Sequence, residues 1–124
     1  MNEELENLIT DYKKLAIAYG EAIDGPDNKE VARSIKKMKR LLINLKSHNE
    51  DAHQALFSLL DHENKYIRYL SAFNLIRKDK EKSLEVLQQI MDSEKGFLSG
   101  FAEMTLSISA TGGLEDSNDD EVFF

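Results

Sequence analysis

Three histidines and 23 carboxylates are the main chemistry-bearing groups of this chain. His48, Asp51 and His53 fall close together, and His62 follows one helical segment later. A metal held on a helix takes two ligands at a spacing of three or four, with a third from elsewhere. His48 and His53 are five apart and flank an expected helix start, so their spacing reads as capping or solvated histidine rather than a metal site. The chain has no Cys, which excludes a thiol nucleophile, a Cys-ligated zinc and a disulfide framework. No Ser stands in a strand-turn-helix elbow and no Gly-rich loop follows a strand to cradle phosphate. Carboxylate pairs such as Glu81 and Glu85 lie at i and i+4 on an expected solvated helix face. The sequence therefore predicts no catalytic residue, no metal and no cofactor, hence no enzyme.

What must position any functional group is a chain of 124 residues, 41% hydrophobic and 31% charged, with a net charge of -7. That composition suits one domain burying roughly two thirds of its unfolded surface. The charge is uneven: about +1 over residues 1–46, -3 over 47–110 and -5 over 111–124. Such a distribution opposes generic wrapping of nucleic acid and favours a basic partner. The opening MNEELENLITDYKKL has no apolar run of the secretory type, and the stretch from Met104 to Leu114 is too short and polar to span a bilayer. A cytoplasmic protein without membrane association is expected.

Apolar residues recur at Leu5, Leu8, Tyr12, Leu15, Tyr19 and Ile23, the steps of three and four of an amphipathic helix. Gly25-Pro26 ends it, and Asp27 with Glu30 offers a capping box for a second helix whose stripe is Val31, Ile35, Met38, Leu42 and Leu45. Ser47 with Glu50 offers another box. Shorter helices are then expected over residues 50–60, 65–77, 81–91 and 97–109, with Asn64 and Asp79 as caps and Gly96 as a stop. Alternating apolar and polar runs are absent, so the fold class is all-α with about six helices.

Shifting the sequence by 31 residues places Glu50 on Glu81, Leu56 on Leu87, Ile67 on Leu98, Leu70 on Phe101 and Phe73 on Met104. A helical hairpin repeated at fixed offset implies a stack in which each hairpin buries its apolar face on the next. The domain reading is thus 1–110, made of an N-terminal helical pair (1–46) and two hairpins (47–110), followed by a flexible acidic tail (111–124). The run Leu59-Leu60-Asp61-His62-Glu63-Asn64-Lys65-Tyr66-Ile67-Arg68 with Ala72 and Leu75 resembles the HEAT-like repeat. In that family the turn Asn or Asp caps the second helix and the Arg reaches an acidic neighbour, roles that fall here on Asn64 and Arg68. The second copy departs from it, with Ser99 in place of the Arg and Lys95-Gly96 at the turn. With LAIAYGEAIDGPD, LLDHENKYIRYLSAFNL and EKGFLSGFAEMTL, the chain is similar to a bacterial family of short HEAT-like proteins of unknown function. The resemblance implies an α-hairpin stack. Related HEAT-like families include antitoxins, which implies an immunity protein that neutralises a basic, nuclease-type toxin.

Two surfaces stand out as partner sites. Ile67, Leu70, Ala72 and Leu75 suffice to fill the middle hairpin, leaving Tyr66, Tyr69 and Phe73 as an aromatic ridge, with Phe73 weighted to the core and the tyrosines evenly divided between core and interface. The expected partner-binding set is Asp61, Glu63, Tyr66 and Tyr69 around the hairpin turn, with Asp116, Asp119, Asp120 and Glu121 from the tail. Val122-Phe123-Phe124 is either an untethered end or a docking element. The alternative function is a nucleic-acid-associated or regulatory helical adaptor using Lys29, Arg33, Lys36 and Arg40, a strip that otherwise reads as a solvated helix face.

Overall fold

The computed structural model describes residues 2–114 and 120–124. Six α-helices follow in order: α1 (Glu3–Asp24), α2 (Asn28–Lys46), α3 (Asn49–Ser58), α4 (Lys65–Leu75), α5 (Lys80–Ser93) and α6 (Phe97–Ala110). Two 3-10 turns, Leu59–Asp61 and Asp120–Val122, complete the described elements, and no strand occurs among the described residues. No helix there is long and apolar enough to cross a membrane.

α1 packs on α2, α4, α6 and, more lightly, α3, and α4 packs in turn on α5 and α3. Because α1 has four neighbours, its buried band is wider than one stripe. Ile9, Ala16, Gly20 and Ala22 join Leu5, Tyr12, Leu15 and Ile23. α4 is enclosed still further, with Ile67, Tyr69, Leu70, Ala72 and Leu75 in the common core beside Leu42, Leu45, Leu56, Leu87 and Leu98. Replacing one of these buried leucines by Ala costs about 2–5 kcal/mol.

Helix starts follow local side-chain chemistry in some places and tertiary contacts in others. Asn2 Oδ1 accepts from the Leu5 amide, and Asn64 Oδ1 accepts from Tyr66 and Ile67. Asp27 accepts from the Glu30 amide at 3.1 Å, but the Asp27 amide donates to the Ala22 carbonyl while the Glu30 carboxylate pairs with Arg33. Only half of that capping box forms. The Ser47–Glu50 box does not form: Ser47 donates to the Asn44 carbonyl, and α3 starts after His48 with Asn49 at a φ of 50°. Asp79 makes no side-chain cap on α5, because its carboxylate is drawn to His53 instead.

The closing segment also departs from a flexible tail. Val122 and Phe123 are buried, and Asn74 hydrogen-bonds the segment's backbone at two points. Residues 120–124 are therefore docked on the helices. Residues 115–119 lie outside the described residues.

Candidate protein-docking surface

The three loops α1–α2, α3–α4 and α5–α6 meet at one edge of the molecule, joined by Asp24. One Asp24 oxygen accepts from the Tyr66 hydroxyl at 2.7 Å, and the other accepts from the Leu98 amide at 3.0 Å. Gly96, at a φ of 91°, leads into α6 without a side-chain cap of its own, so Asp24 supplies that cap from 74 residues away. Lys65 and Glu94 tie the neighbouring turns at 3.3 Å. Tyr66 fits this corner because Gly20 has no side chain: a Cβ there would be driven into the Tyr66 ring. The hydrogen bond to Asp24, then partial burial and the charges of Asp24, Glu21 and Glu94, push the Tyr66 phenol up to about 12.

The expected partner residues divide on this geometry. Asp61 and Glu63 are exposed at the turn edge, Asp61 with Lys82 at 2.9 Å. Tyr66 is half-buried, with its hydroxyl engaged by Asp24. Tyr69 is corrected: at 2% exposure it is core, because α4 is covered on more sides than a two-faced hairpin helix. Burial raises its phenol pKa. Arg68 is also corrected, since it donates to the His62 and Glu63 carbonyls at 2.9 Å rather than to an acid, bracing the turn it follows. In the tail, exposed Glu121 lies 3.7 Å from Lys39. Asp116 and Asp119 lie outside the described residues, as does the side chain of Asp120.

The histidines are engaged in structural contacts. His62 Nδ1 accepts from the Asn64 amide, and His48 faces Glu4 at 3.6 Å. His53 stands between Asp79 at 2.6 Å and Glu50 at 3.4 Å, with Phe57 at its edge. The shallow groove beside it, about 250 Å³, is lined by Glu50, His53, Gln54, Phe57 and Asp79, a set with no hydroxyl or thiol nucleophile. Among the described residues no group of three or more His, Asp or Glu is arranged to hold a metal. The α2 strip is exposed at Lys29, Arg33, Lys36 and Arg40, but acids interrupt it. Arg33 pairs with Glu30, and the groove of about 440 Å³ between α1 and α2 sets Asp11 and Glu30 beside Lys14, Lys37 and Arg40.

The surface that sequence reasoning missed is on α6. Phe97, Met104 and Ile108, at steps of seven and four, are 52%, 49% and 39% exposed, with half-buried Phe101 beside them. The 31-residue register set Phe101 and Met104 on residues of α4, which implied cover. Among the described residues no further hairpin provides it. The usable signal was the spacing itself, together with the scarcity of charge on α6, whose only ionised side chain is Glu103. Large apolar side chains grouped on one exposed face are the ordinary mark of an interaction site.

Residues 6–109 match the family described as Domain of unknown function (DUF2019). The chain belongs to that family. In this DUF2019 chain the match spans nearly all of α1 and the whole of α2 to α5, reaches Ser109 in α6, and leaves out the docked 120–124 segment. No curated protein and no solved structure matches the chain.

Proposed function

We propose that this chain is a non-enzymatic protein-binding module, a HEAT-like stack of helical hairpins, and most specifically a bacterial cytoplasmic immunity protein that binds and neutralises a basic, nuclease-type toxin. The observation that carries the reading is the uncovered Phe97–Met104–Ile108 stripe on a chain of net charge -7. The apolar stripe supplies contact area that gains free energy on leaving water. The exposed acids, Glu103 on the same helix and Asp61 and Glu63 at the turn edge, supply long-range attraction to a cationic surface. An inhibitor of a nucleic-acid-cleaving enzyme gains association rate by presenting the sign of charge its target already binds.

The test is co-expression with the basic toxin-like product of a neighbouring reading frame, followed by co-purification and growth rescue. The expected result is a complex and rescue with the wild type, both lost in Met104→Lys while its melting temperature is retained. Absence of both in the wild type overturns the reading. Retention on a polyanion column that Arg33→Ala and Arg40→Ala abolish would favour nucleic acid instead.

A further inference from the structure

The 120–124 segment lies in a cleft whose contacts have the form of a peptide-recognition site. Asn74, 0% exposed, is its centre. Its side-chain Nδ2 donates to the Val122 carbonyl at 2.6 Å, and its main-chain carbonyl accepts from the Phe124 amide at 2.7 Å. These two bonds bracket Phe123 and fix the register of the chain as it leaves the 3-10 turn Asp120–Val122. Both act on main chain, which any peptide offers. The Tyr12 hydroxyl donates to Asn74 Oδ1 at 2.7 Å and holds the amide in that orientation from the core side.

Side-chain selection is built around the clamp. Phe123, 3% exposed, lies between the Phe73 ring at 5.4 Å and the Arg77 guanidinium at 4.1 Å. Phe124 stacks on His53 at 6.1 Å with Lys78 5.3 Å from its ring centroid. Val122 is buried, and Glu121 meets Lys39. The four positions therefore ask for an acid, an aliphatic residue and two aromatics in succession. We propose that this cleft is a binding site for protein segments of the pattern acid–aliphatic–Phe–Phe, held in this structure by the chain's own copy, which a partner segment of the same pattern displaces. The site uses residues distinct from the α6 stripe, so it stands or falls separately from the partner reading above.

A tethered occupant acts at an effective concentration on the order of millimolar, so an untethered peptide competes poorly until the resident is weakened. The probe is a capped, labelled peptide Asp-Glu-Val-Phe-Phe titrated into the full chain by fluorescence anisotropy. The expected result is saturable binding to the Phe123→Ala/Phe124→Ala variant at least tenfold tighter than to wild type, and none by a peptide with both phenylalanines replaced by alanine. A variant that melts cooperatively yet binds no better than wild type, or binds both peptides alike, overturns the proposal. Should the double variant not fold, Phe124→Ala alone and the wild type are titrated to millimolar peptide and read by the Asn74 side-chain amide resonances. Movement of those resonances by the Phe-Phe peptide alone supports the site, and their invariance overturns it.

Discussion

Asp24, Tyr66 and Gly20 form the corner where the residue scale is most exposed to test. Gly20→Ala drives a methyl group into the Tyr66 ring and is expected to cost about 1–3 kcal/mol. Combined with Tyr66→Ala the cost should fall well short of the sum of the single costs, as chemical denaturation of the double-mutant cycle would report. The pH dependence has a definite sign. The folded state holds the Tyr66 phenol neutral up to about 12, whereas an unfolded tyrosine ionises near 10. Its contribution is complete below pH 10 and is lost as pH rises from 10 through about 12. Asp24→Asn should lower the Tyr66 midpoint in a phenolate-absorbance titration; an unchanged midpoint would remove Asp24 as the cause. Single residues were unevenly legible from the sequence. Asn64 could be assigned as a cap because its role is local. Asn74, whose partners Tyr12, Met38 and Val122 stand 36 to 62 residues away, carried no local sign of its role.

Helices were the legible part, since apolar periodicity survives in a single sequence and tertiary cover does not. The four spans expected between residues 50 and 109 match the observed ones to within a few residues, the main differences being the 3-10 turn at Leu59–Asp61 and the earlier end of α4 at Leu75. What periodicity left open was how many neighbours each helix has. α4 has enough to bury Tyr69, and α6 has too few to cover Met104. Gly100 tests the α6 surface at this scale. A Cβ there would meet nothing within 4 Å, so internal packing does not require glycine. Gly100→Ala should stabilise the fold by about 0.5–1 kcal/mol through helix propensity. If a partner backbone approaches the helix at that point, the same change weakens the complex, and paired melting and binding measurements separate the two effects.

At the scale of the whole molecule, charge and the docked segment govern behaviour. A partner attracted by the net charge of -7 should associate more slowly as salt rises, with dissociation changed far less, in stopped-flow or surface-based kinetics. Phe123→Ala should cost about 3 kcal/mol in denaturant unfolding, because the ring is buried between Phe73 and Arg77. The Asn74 clamp has a further consequence for the order of events in a cell. It joins residues 48 apart, and the peptide that closes it is synthesised after every helix of the stack. Until residue 124 has left the ribosome, the nascent domain carries an open seam between α2 and α4 with Phe73 and Met38 along it. A chaperone that reads apolar stretches would find its binding site there, and would lose it once Phe124 has emerged and docked.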